Sequence, residues 1–83
     1  MKRIGFVGII IEDRLQSAPA VNAVISQYAS LILARTGLPH VNGNTAVITL
    51  VIEATTDEVG VLTGMLGAIP GVSVKSGLAK KQL

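Results

Sequence analysis

A chain of 83 residues with a formal net charge of +2 has room for one modest core, because a domain of this size buries only about 60 to 65% of the surface its unfolded chain exposes. Apolar residues make up 49% of it and charged residues 14%, so some apolar surface is left over for a partner. The absence of cysteine excludes disulfides, thiolate metal sites and a cysteine nucleophile, and an aromatic content of 2% leaves almost nothing for stacking nucleic-acid bases.

Arg3 to Ile11 is apolar at both odd and even positions, the pattern of a strand covered on both faces. It runs straight into Glu12, Asp13 and Arg14 instead of continuing as a signal sequence, and no apolar run reaches the ~18 to 20 residues of a membrane span. A cytoplasmic protein is expected. Ser17 can cap a first helix that tolerates Pro19 in its first turn and carries Ala18, Val21, Val24, Ile25 and Tyr28 at helical spacing. Ser30 to Leu38 reads as a second strand, weakened by Gly37 and Pro39. Asn42, Gly43 and Asn44 supply a tight turn into a third strand, Thr45 to Ile52. Thr55 and Glu58 have the spacing of a capping box, followed by Val59, Leu62, Met65, Leu66 and Ile69 on a second helix that ends at Pro70 and Gly71. Val72 to Ala79 is the last strand.

The order β-α-β-β-α-β over one domain, residues 1–83, matches an α+β ferredoxin-like sandwich of ACT-like type. Its antiparallel sheet has order 4-1-3-2, with two helices on one face. The other face is open, yet strands 1 and 3 are apolar on both sides, so a second molecule is expected to cover it. With strands 1 and 3 taken to run the same way, their ends gather every acidic residue. Glu12, Asp13, Glu53, Asp57 and Glu58 then face Lys2, Arg3, Lys80 and Lys81 across an electrically bipolar domain. Carboxylates so placed compensate helix dipoles or, in a sharper reading, hold a hard cation.

Candidates for chemistry are few. His40 is the sole histidine, expected on the loop between strands 2 and 3, and no Walker A sequence, nucleophile elbow or HExxH is present. Gly5 and Gly8 lie inside a strand, where glycine marks a bulge or a close backbone approach. Gly60, Gly64 and Gly67 share one side of the second helix and forfeit about 1 kcal/mol each relative to alanine. That side is either a strained outer face or a close contact with the first helix, another chain or a ligand.

Glu12-Asp13-Arg14, Val21-Asn22, Arg35-Thr36-Gly37-Leu38-Pro39, the run Gly60 to Gly67, Gly71-Val72 and Val74-Lys75 resemble, in this order and spacing, the iron-only hydrogenase system regulator family of small ACT-like domains. The resemblance implies a ferredoxin-like fold, self-association and a regulatory role without catalytic residues. A basic residue is common in that family where this chain has Met65. ACT domains often bind amino acids near the loop between strand 1 and helix 1, here Glu12 to Ser17 and without glycine. The fold also looks like the effector domain of the nickel-responsive regulator, whose histidine and cysteine ligands are absent.

The leading expectation is therefore a non-enzymatic, cofactor-free homo-oligomer, dimeric or tetrameric, that contacts a protein partner or senses an amino-acid-like or organic-acid effector. Glu12, Asp13 and Arg14 are the expected ligand-binding residues, beside free N–H groups at the start of helix 1, and Gly60, Gly64 and Gly67 the expected interface. Direct nucleic-acid binding is not expected, since no helix-turn-helix or ribbon arm is recognisable. The rival is a small acylphosphatase-like enzyme, for which Arg14 and Asn22 are formally available but a glycine-rich phosphate cradle is missing.

Overall fold

In the computed structural model, β1 (Arg3–Ile11) occupies the inner part of the sheet and buries Val7, Ile9 and Ile11 completely. The structure describes residues 1–81; the last two positions of the expected 1–83 domain lie outside the described residues. After β1 come α1 (Arg14–Gln27), a 3-10 turn (Ala29–Leu31), β2 (Ile32–Asn42), β3 (Thr45–Ala54), α2 (Thr56–Gly67) and β4 (Val72–Leu78). The four strands form one sheet in the order β2-β3-β1-β4, antiparallel throughout, which is the expected order and the ferredoxin-like arrangement.

Several expected boundaries move. Helix α1 begins at Arg14 with Asp13 as its cap, not at Ser17, because the Asp13 carboxylate accepts from the Leu15 N–H at 3.1 Å. Ser17 instead lies buried within the helix, donating to the Pro70 carbonyl at 2.7 Å, and Pro19 lies past the first turn. The stretch from Ala29 to Leu31 winds into a 3-10 turn before β2 starts, and β2 runs on through Pro39 and His40 to Asn42. Its ladder with β3 is irregular between Ile32 and Ala34 and between Leu38 and Asn42, and an edge strand tolerates a proline there because no outer neighbour needs its N–H. His40 therefore stands on the strand, not in a loop. Gly43 takes φ 67° in the tight turn, a conformation that its lack of a Cβ permits.

The strand directions overturn the bipolar charge map. Each βαβ unit makes its two strands parallel but leaves one strand's space between them, and the β2–β3 hairpin fills that space with a strand running the other way. Thus β1 and β3 are antiparallel, with Arg3 opposite Ala54 and Ile11 opposite Ala46. Glu53, Asp57 and Glu58 consequently share the end of the sheet that holds Lys2, Arg3, Lys80 and Lys81. Lys2 reaches Glu58 at 3.4 Å, while Arg3 binds the Ala79 carbonyl and the Thr56 hydroxyl. Glu12 and Asp13 lie at the opposite end with Arg14. Neither end carries a single sign of charge.

Both helices cover one face. Val21 and Ile25 of α1 and Val59, Leu62 and Leu66 of α2 join Val7, Ile9 and Ile11 of β1 and Ile48, Leu50 and Ile52 of β3 in the core. The capping box is formed as expected: Glu58 N–H donates to the Thr55 hydroxyl and Thr55 N–H to the Glu58 carboxylate. That backbone bond, then the nearby Lys2 ammonium, holds the Glu58 carboxyl below its usual range despite a smaller opposing effect of desolvation. The opposite face of the sheet is bare. Phe6, Ile10 and Val51 are exposed there, together with Leu38.

Candidate functional site

The expected ligand-binding residues, consecutive in the chain, lie at the turn from β1 into α1, at one end of the sheet. Glu12 follows β1, its N–H donating to the Gly71 carbonyl at 2.9 Å, and the Thr45 hydroxyl donates to the Glu12 carbonyl at 3.3 Å. These bonds tie the start of β4 and the start of β3 to the turn into α1. Only Glu12 and Asp13 separate β1 from α1, a shorter connection than the expected Glu12 to Ser17. The turn is too brief to form a ligand-enclosing loop.

The local geometry alters the expected chemistry. The N–H groups at the start of α1 are not free: Arg14 donates to the Asn44 carbonyl at 2.8 Å, Leu15 to the Asp13 carboxylate, and Gln16 and Ser17 to the Asp13 carbonyl at 3.1 and 3.0 Å. An anion at this end has to be held by side chains instead. The Arg14 guanidinium donates through Nη2 to His40 Nε2 at 3.2 Å. Because arginine only donates, His40 Nε2 accepts and its proton sits on Nδ1, 3.4 Å from the Gly43 carbonyl. Arg14 Nε is buried and has no hydrogen-bond partner. Among the described residues the guanidinium has His40 as its one side-chain partner and no ion pair, and the exposed Glu12 side chain makes no hydrogen bond.

Other expected groupings are not assembled. Asn22 is two turns, about 12 Å, along α1 from Arg14 and accepts from Arg35 Nη2 at 2.7 Å, so the acylphosphatase-like pair is split between separate contacts. The hard-cation grouping is divided between opposite ends of the sheet, and among the described residues no three His, Asp or Glu side chains come together. An added Cβ at Gly60, Gly64 or Gly67 would meet nothing within 4 Å, which removes the expected contact of that face with the first helix. The face is open.

Sequence reasoning missed a hollow on the bare side of the sheet. Its volume is about 460 Å³, and Ile4, Phe6, Val51, Gly77, Leu78 and Ala79 are among its walls. The Phe6 ring lies over Gly77, where a Cβ would stand 2.7 Å from Phe6 Cε2. Gly5 confirms the close backbone approach: a Cβ there would clash with the Gly77 carbonyl oxygen and Leu78. The sequence offered Phe6 on the even side of β1 and a glycine, Gly77, in the last strand, and only the register sets the two opposite each other.

The architecture defines a small ferredoxin-like α+β domain with an open, largely apolar sheet face and a compact Arg14–His40 contact at one end. More particularly, the chain belongs to the TM1266-like family of proposed iron-only hydrogenase system regulators, whose model matches residues 3–76. It is similar to the uncharacterized protein TM1266 from Thermotoga maritima, with a TM-score of 0.90 and 38% identity over 96% of this chain and all of that one. An unknown protein from Galdieria sulphuraria shares the fold, with a TM-score of 0.69 and 10% identity, covering all of this chain and 48% of that one. No curated protein matches. Among the described residues no helix is long and apolar enough to cross a membrane.

Proposed function

We propose that this chain is a non-enzymatic regulatory module of an iron-only hydrogenase system, acting in the cytoplasm as an assembly of its own copies. The family match over residues 3–76 carries the regulatory role. Self-association is supported by exposed Phe6, Ile10, Leu38 and Val51 on a sheet face that neither helix covers. The open Gly60, Gly64 and Gly67 face of α2, flanked by exposed Val61 and Met65, is a second surface for another chain.

The effector is a small carboxylate, amino-acid-like or a simple organic acid, held at the end formed by Glu12, Asp13 and Arg14. Arg14 supplies the positive charge. Among the described residues its one side-chain partner is the His40 ring and it makes no ion pair, so a carboxylate gains a charge-assisted bond without displacing an existing ion pair. Glu12 is left to receive an ammonium group, while Asp13 is already committed to capping α1. Isothermal titration with a panel of amino acids and short organic acids tests the assignment. Arg14→Ala should weaken binding of the best ligand by about 1.5 to 3 kcal/mol, the range for hydrogen bonds to charged groups. Unchanged affinity would rule this end out.

A further inference from the structure

The open sheet face holds two charged side chains among the described residues, Glu53 on β3 and Lys75 on β4, and neither has a hydrogen bond or ion pair. Their face follows from the register. Glu53 pairs with Ile4 and Lys75 with Gly8, both on the even side of β1, which is the side of exposed Phe6 and Ile10. At about 4.8 Å between strands and 3.4 Å per residue, the two charges are roughly 10 Å apart across the sheet and 14 Å along it, or about 17 Å on the diagonal. Phe6 is their midpoint: it lies on the strand between β3 and β4, opposite Val51 and Gly77, halfway between the levels of Ile4 and Gly8.

Resting on the self-association reading above, we propose that this face seats the same face of a second copy, related by a twofold axis through Phe6 that sets each Lys75 against the partner subunit's Glu53. A twofold lying between two sheets and perpendicular to the diagonal exchanges its ends, so both charge pairs form at once. Sheets related in this way cross at roughly 70°, close to the orthogonal class of sheet packing. The two Phe6 rings meet at the centre, and the hollow bounded by Ile4, Val51 and Gly77 is closed by the partner's copy of the same surface. An acidic or a basic partner would satisfy one of the two charges and repel the other. A second copy supplies both signs at the required spacing.

Charge reversal with sedimentation equilibrium tests the pairing, with circular dichroism to show that each variant is folded. Lys75→Glu and Glu53→Lys should each raise the self-dissociation constant about tenfold, since one substitution places like charges together twice per dimer. The double reversal should restore it to near the wild-type value, and Phe6→Ala should shift the protein toward monomer. If the wild type self-associates but the double reversal is no better than the single ones, or Phe6→Ala has no effect, this pairing is wrong and assembly uses another surface. A wild type that stays monomeric at its highest soluble concentration would overturn both the pairing and the self-association reading.

Discussion

Replacing Gly64 by alanine separates two roles for the glycine face of α2. Within one protomer the added methyl meets nothing within 4 Å, so no steric cost opposes the gain in helix propensity. That gain is up to about 0.8 to 1 kcal/mol, the value for glycine to alanine in a helix interior, for Gly64 in the last turn of Thr56–Gly67. For a domain of this size 1 kcal/mol corresponds to a rise of about 4 to 8 °C in the unfolding midpoint. Urea unfolding followed by circular dichroism, at a concentration low enough to separate protomers, should show a higher midpoint with an unchanged slope. Repeating it at high concentration reads the assembly: if another chain packs on this face, the stabilisation shrinks or reverses as copies associate. A loss of stability in the separated protomer would refute the reasoning, because it would mean that the space beside Gly64 is filled.

Gly5→Ala should do the opposite, lowering stability by about 1 to 3 kcal/mol in urea unfolding, since its Cβ would clash with the Gly77 carbonyl oxygen and Leu78; a neutral outcome would contradict the tight β1–β4 approach. Thr55→Ala removes the cap of α2 and should cost about 1 kcal/mol in the same assay. The Glu58 carboxyl is held below its usual range by the Thr55 N–H and then by Lys2, so its folded value is depressed relative to the unfolded chain. Its contribution is therefore fully present above the unfolded value and is lost as pH falls through the folded one. The stability difference between wild type and Glu58→Gln, measured from neutral to acid pH, should shrink on acidification; a constant difference would count against the assignment.

The element order was legible because three features agree: apolar strands, an asparagine-glycine turn at Asn42–Asn44, and the Thr55/Glu58 box ahead of a helical repeat. The start of α1 was not, since Asp13 and Ser17 are both residues that cap well, and in the fold Asp13 caps while Ser17 lies inside the helix and donates to the Pro70 carbonyl. Strand direction was the costly error. The correct direction followed from the element order: the β1–α1–β2 crossover makes β1 and β2 parallel and the hairpin at Asn42–Asn44 turns β3 back, so taking β1 and β3 as parallel placed Glu53, Asp57 and Glu58 at the wrong end of the domain. At the candidate site, the position of Glu12, Asp13 and Arg14 between β1 and helix 1 was legible, whereas the Arg14–His40 contact depends on β2 continuing past Pro39. The open sheet face was legible as an excess of apolar residues. The Phe6–Gly77 packing and the Glu53–Lys75 diagonal emerge only from the strand register.

Sedimentation equilibrium of the unmodified protein over a wide concentration range is the most direct measure of the central proposal, that this chain works as an assembly of its own copies. A reversible, concentration-dependent rise in mass from the 8.6 kDa protomer to a dimer or tetramer is expected. A constant 8.6 kDa across the whole range would contradict it, leaving the exposed face around Phe6 without a second copy to cover it.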